Sequence, residues 1–193
     1  MSDAIASHTF RSGAGRLCLD FVRTLRHRGR PDAEEELATS SRLTEWIGLF
    51  GPCEPTGSLA GTPISMDSAR RLREAIYVLL VVATSPKGAR SCPPRHRRLV
   101  NEWAARAVPA PALRPDGSIG YHAAEPMEAT LSLVARDALD LVSGREVRRL
   151  RRCANADCNI LFLDTSRPGK RRWCSMATCG NQAKKANQRA RHG

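Results

Sequence analysis

The sequence predicts an α+β chain in two parts. Residues 1–144 form a mostly α domain with one small β-hairpin, and residues 145–193 form a compact module built around cysteine. Three observations predict this. Apolar residues recur at helical spacing through most of the first 143 positions. An Asp-Gly pair, Asp116-Gly117, lies between two short segments, which is a hairpin signal. Four of the seven cysteines fall within "CANADCNILFLDTSRPGKRRWCSMATC", as two pairs that each enclose four residues and stand fifteen residues apart.

The elements run in order along the chain. Leu17, Phe21 and Leu25, with Cys18 and Val22, recur at helical spacing, with Asp20, Arg23, Thr24 and His27 on the polar side. Asp20 and Arg23, three apart, read first as a structural contact and second as the polar site of a sensing domain. A helix comes next in "TSSRLTEWIGLF", with Ser41 and Glu45 flanking its first turn, and residues 51–63 are a Gly/Pro-rich loop. The best helix begins near Ser65 and ends before Pro86. Ala69, Leu72, Ile76, Leu79, Leu80 and Ala83 form its face, and apolar residues then spread around it, as in a central buried helix. "PPRHRRLVNEWAARAV" adds a helix with Leu99, Val100, Trp103 and Ala107 facing inward. "ALRPDGSIGYH" is the hairpin. The last helix of the domain carries Met127, Leu131, Val134, Ala138, Leu141 and Val142, and Gly144 is its stop.

Nothing in this domain reads as catalysis. It has no Gly-rich phosphate loop, His8, His27, His96 and His122 are scattered, and no Ser/His/Asp set can be argued from spacing. The chain is expected not to be an enzyme. The longest apolar run, Ala75 to Ala83, is too short to span a bilayer, and the N-terminus lacks a signal-peptide pattern. The expected location is the cytoplasm, where thiols stay reduced and clustered cysteines favour metal over disulfide.

Spacing then argues for zinc on Cys153, Cys158, Cys174 and Cys179, since two short chelating loops joined by a longer connection suit a tetrahedral ion. A redox pair would need C-x-x-C, which is absent. So small a module has few large apolar groups, Ile160, Leu161, Phe162, Leu163, Trp173 and Met176. It is marginal without a staple, whereas structural zinc supplies about 10–16 kcal/mol of apparent binding energy at neutral pH. Four thiolates close the coordination sphere, so one Zn2+ here is structural. "NILFL" reads as a strand, "DTSRPGK" as a turn and "RRWC" as a returning strand. A helix follows, capped by Ser175 or Thr178, with Cys174 at the junction and Cys179 in its first turn. Knuckle, hairpin and helix in that order make a treble-clef zinc finger.

The run "CANADCNILFLDTSRPGKRRWCSMATCGNQAKKANQRAR" resembles the CGNR zinc finger, and "RLCLDFVRT" resembles the "LDFVNT" signature that opens the ABATE domain. The resemblance is to a family of stress-induced transcription regulators. It implies a helical N-terminal domain, a treble-clef finger with the same four cysteines as ligands, and DNA binding. Two positions depart from the pattern: Gln182 stands where the naming motif has Arg, and Arg23 where the upstream signature has Asn.

Charge points to the partner. The chain carries a formal +12, with only four lysines among 31 basic residues. That arginine preference suits bidentate phosphate contacts and equally suits a GC-rich genome. Residues 144–193 hold 13 basic and three acidic side chains, and none of the 29 residues after Asp164 is acidic. Arg167, Lys170, Arg171 and Arg172 come from the finger's hairpin. On the final helix Lys184, Gln188 and Arg191 form one stripe, and Lys185 and Arg189 the next. Base readout would fall to Asn181, Gln182, Asn187 or Gln188. Trp173 is expected to pack over the zinc core. The leading reading is a DNA-binding regulator whose helical domain senses a small-molecule effector or self-associates into an oligomer. The alternatives are an RNA- or ribosome-associated zinc protein, and an enzyme-like helical domain with an accessory finger.

Overall fold

A computed structural model describes residues 10–53 and 64–192. His8 and most of the loop expected over 51–63 lie outside them. The long helix α3 (Met66–Ala83) is the hub, packed by α1 (Leu17–Val22), α4 (Pro94–Ala104) and α5 (Pro126–Ser143). Its buried residues Ala69, Leu72, Ala75, Ile76, Leu79 and Leu80 follow the spacing of one helical face. α2 (Ser40–Phe50) adds Leu43, Trp46 and Ile47 to the core. The Asp-Gly hairpin forms as β3 (Ala110–Leu113) and β4 (Ile119–His122), paired Leu113 to Ile119 across the turn. Cys18 is fully buried among apolar neighbours.

α1 ends at Val22, so Leu25, read in the same helical run, lies in a strand, and two other helices also differ from expectation. Ser41 lies inside the first turn of α2 instead of flanking it, because Thr39 caps the helix, its hydroxyl accepting from the Arg42 N–H at 3.3 Å. Ala107 is exposed because α4 ends at Ala104: Arg106 folds over the Trp103 ring at 3.9 Å, and Arg136 of α5 donates to the Ala104 and Arg106 carbonyls. At the start of α1 no local side chain caps the helix. The Asp137 carboxylate, on α5, instead accepts from the Cys18 N–H at 2.8 Å and from Arg16 Nε at 2.8 Å.

A second small hairpin, β1 (Leu25–Arg26) with β2 (Glu34–Glu35), was not expected. Two-residue strands of mostly charged side chains carry no alternation to read. The ladder is held instead from α3, where Arg73 donates two hydrogen bonds to the Glu35 carboxylate at 2.6 Å each.

In the C-terminal module β5 (Leu150–Arg152) pairs antiparallel with β6 (Leu161–Leu163), and the first cysteine pair lies in the loop between them. The expected returning strand at "RRWC" does not form. The free edge of β6 is met by the helical domain, the Leu163 N–H donating to the Ala14 carbonyl at 2.8 Å. Residues 170–174 are irregular, with one backbone bond from Ala154 N–H to the Arg172 carbonyl. β6 alternates strictly. Leu161 and Leu163, with Leu150, belong to the helical core, whereas Ile160 and Phe162 face the cysteines. Two of the residues assigned to the module's own core thus fill its neighbour's.

Gly15 makes this contact possible. It sits at φ +97°, and a Cβ there would lie 2.9 Å from Leu163 Cβ. Gly15→Ala is expected to cost about 2–4 kcal/mol from left-handed strain plus overpacking. Gly13→Ala, at φ +87° in open space, should cost only the strain component. Thermal unfolding of the two variants checks the difference.

Candidate metal centre and nucleic-acid face

The sulfurs of Cys153, Cys158, Cys174 and Cys179 all lie within 4.8 Å of one another, and all four residues are buried. Cys158 Sγ stands 3.6 Å from Cys174 Sγ, and Cys174 Sγ 3.8 Å from Cys179 Sγ. Those separations exceed a disulfide bond, about 2.05 Å. They match the edge of a tetrahedron with Zn–S bonds of about 2.3 Å, which is roughly 3.8 Å.

Each ligand is placed by local backbone. The knuckle closes through the Cys158 N–H on the Asn155 carbonyl at 3.0 Å, and Asn155 Oδ1 accepts from the Asp157 N–H at 3.0 Å. Cys153 Sγ accepts from the Cys174 N–H at 3.5 Å. Ser175 caps a single π-turn, Met176–Gly180, which carries Cys179 and leads into α6 (Asn181–His192). The thiols compete for charge. Hydrogen bonds from Cys158 and Cys174 push the Cys153 thiol down, and the same bonds to Cys153 push Cys158 and Cys174 up. A divalent ion resolves that competition by holding all four as thiolates.

The turn after β6 is organised by Asp164, whose carboxylate accepts from the Ser166 hydroxyl at 2.6 Å, the Ser166 N–H at 3.0 Å and the Arg171 N–H at 2.9 Å. The Ser166 hydroxyl bond leads in holding that carboxyl below its ordinary range.

The basic residues divide into two kinds. Arg171 does not face outward as expected. Its guanidinium donates to the Trp173 and Cys174 carbonyls and lies 4.8 Å from the Phe162 ring centroid. It therefore steadies the approach to the third ligand and places a positive charge beside the thiolates. Arg167, Lys170, Arg172, Lys184, Lys185, Gln188 and Arg189 line the outside of the module. Gln182 is tied to the knuckle, accepting from Asn155 Nδ2 at 2.9 Å, and Asn181 donates back to the Ala177 carbonyl at 3.1 Å. The Asn187 side chain lies outside the described set. Trp173 packs half-buried against the cysteine cluster, with Arg172 over its ring at 5.0 Å.

Asp20 and Arg23 meet at 3.4 Å, the expected i,i+3 contact. Both are buried, and both are used locally: Asp20 accepts from the Ala14 N–H at 3.0 Å, and Arg23 donates to the Ser12 carbonyl at 2.9 Å. Burial raises the Asp20 pKa, against the pull of the Ala14 N–H and of Arg23. The pair fastens the segment that meets β6.

Compared with known families, residues 15–145 match the ABATE model, described as "Putative stress-induced transcription regulator". The chain belongs to the ABATE family. Residues 149–192 match the CGNR zinc finger. With four buried cysteines in one cluster, the CGNR module is the site of one structural zinc ion. A search of curated proteins finds no match. Among the described residues no helix is long and apolar enough to cross a membrane. The second hairpin, the Arg171 anchor and the sharing of β6 escaped sequence reasoning. Only β6 left a signal, an apolar run on both faces of "ILFL" where a free-standing finger would need one.

Proposed function

We propose that this ABATE protein is a cytoplasmic, non-catalytic transcription regulator that holds DNA with its CGNR finger and senses a ligand through its helical domain. One observation carries the reading. After Asp164 no acidic residue occurs, and the cations Arg167, Lys170, Arg172, Lys184, Lys185 and Arg189 surround a helix fixed at its start by the zinc site. Phosphate contacts supply most of the affinity, and the rigid core sets their register. Because Gln182 is bonded to Asn155, base contacts fall to Gln188 on the exposed surface of α6.

The test is binding to duplex DNA against salt. Log K is expected to fall linearly with log [salt], by about 0.9 per phosphate neutralised. Lys184→Ser and Arg167→Ser should each reduce the slope by about one unit without lowering Tm. No binding at low salt, or tighter binding to structured RNA than to duplex at equal salt, would overturn the DNA reading.

A further inference from the structure

A cleft of about 970 Å³ separates the β1–β2 hairpin of the ABATE domain from the knuckle and α6 of the finger. Its volume is that of a pocket for a drug-sized ligand. It does not overlap the Asp20–Arg23 pair. The two walls are tied at their rim, where Arg30 of the hairpin loop pairs with Asp157 of the knuckle, and Asn159 donates to the Arg28 carbonyl at 3.2 Å.

Its chemistry is one-sided. Arg11 and Arg26 line it from the helical domain, and Arg172, Lys185 and Arg189 from the finger. The two carboxylates present, Asp32 and Asp157, are both already engaged by Arg30. Arg11, Arg172, Lys185 and Arg189 have no acidic partner within ion-pair distance among the described residues. Guanidinium groups spread over opposite walls suit a ligand with several phosphate oxygens better than a single carboxylate. Trp173, half-buried, gives the same cleft an apolar surface.

His27 and Thr178 line the cleft from opposite walls, and His27 Nδ1 lies 4.0 Å from Asp32 Oδ2. His27 also holds φ +52°. That conformation is uncommon outside glycine, and such residues gather at binding sites.

We infer that the cleft binds a nucleoside di- or triphosphate, with its phosphates between Arg11, Arg172, Lys185 and Arg189 and its ring system against Trp173. The site is the sensing half of the proposed function, and the inference rests on that reading. Lys185 and Arg189 belong to both the cleft and the DNA face, so a bound nucleotide neutralises charges that DNA phosphates require. Nucleotide and DNA therefore compete.

The experiment is titration calorimetry of the full, zinc-loaded chain with ATP, GTP, tripolyphosphate and inorganic phosphate at 0.15 M salt, a condition at which exposed charge is screened beyond about 8 Å. Saturable binding of at least one nucleotide is expected, about tenfold or more tighter than tripolyphosphate, while inorganic phosphate does not saturate. Arg11→Ser should weaken nucleotide binding roughly tenfold by removing a charge-assisted hydrogen bond. Arg189→Ser should also weaken it without lowering Tm, because Arg189 is exposed and has no ion-pair partner among the described residues to lose.

The two readings fail separately. Arg11→Ser leaves DNA affinity intact and Lys184→Ser leaves nucleotide affinity intact if both hold. DNA binding without nucleotide binding removes the cleft proposal alone, and nucleotide binding without DNA binding removes the DNA reading alone. No saturation by any nucleotide at millimolar concentration, equal binding of tripolyphosphate, or indifference to both Arg11→Ser and Arg189→Ser would overturn the inference.

Discussion

Cys174→Ser is expected to empty the zinc site and to destabilise the whole chain, not only its last quarter. Cys174 Sγ stands within 3.8 Å of the sulfurs of both Cys158 and Cys179, so its loss removes the corner that joins knuckle to helix. Strand β6 carries the damage inward. Phe162 faces the cysteine cluster while Leu161 and Leu163 fill the helical core, and the Leu163 N–H is bonded to Ala14. A strand that loses its metal-side support cannot hold its other face in register, because side chains alternate. Losing even about 5 kcal/mol of the roughly 10–16 kcal/mol that structural zinc supplies would lower Tm by about 10–20 °C in a chain of this size. Native mass spectrometry should show one zinc in the wild type and none in the variant. Circular dichroism at 222 nm should show a single transition moved down, and strong chelators should reproduce it. A helical transition that stays put while zinc is lost would show that the two parts do not share a wall.

That dependence was only half legible in the sequence. The helices were readable because each buries a face whose period is independent of context. The cysteine cluster was readable because metal geometry restricts spacing. What escaped depends on contacts remote in sequence. Asp137 caps α1 from more than a hundred residues away, and no local motif announces a cap supplied by a distant helix. Arg171 sits in a run of exposed-looking cations, and only the fold shows it turned over Phe162. Gln182 replaces the family's Arg, and its bond to Asn155 gives it a structural task that the motif comparison could not suggest. The cleft is the strongest case. Arg11 and His27 come from one end of the chain, Lys185 and Arg189 from the other, and no window of sequence contains both.

Arg73→Ala is expected to be among the most destabilising substitutions in the helical domain outside its apolar core, at about 2–3 kcal/mol. Arg73 is 2% exposed, and its guanidinium makes four hydrogen bonds. Both terminal nitrogens bond Glu35 at 2.6 Å, Nε bonds Glu74 at 2.9 Å, and Nη1 reaches Thr24 Oγ1 at 3.3 Å. Removing it takes the bidentate partner from Glu35, which keeps the Leu37 N–H and the more distant Arg70, 3.7 Å away, and also removes the Nε bond to Glu74. Glu74 adds a pH dependence. Burial pushes its carboxyl up, but Arg28 and Arg73 outweigh burial and leave its pKa lowered. Its contribution is therefore full above its unfolded pKa, about 4.3, and is lost as pH falls through the lowered folded value. In Arg73→Ala that acid sensitivity should shrink. The functional consequence comes from where Glu35 lies. It pairs with Leu25 in the β1–β2 hairpin, the element that sets Arg26 and His27 on the cleft wall, so nucleotide binding should weaken in Arg73→Ala even at temperatures where the protein is folded. Glu35→Gln combined with Arg73→Met removes both charges together, and its loss of stability should be smaller than the sum of the two single losses. Additive losses in that cycle would mean that packing, not the ion pair, holds the hairpin against α3.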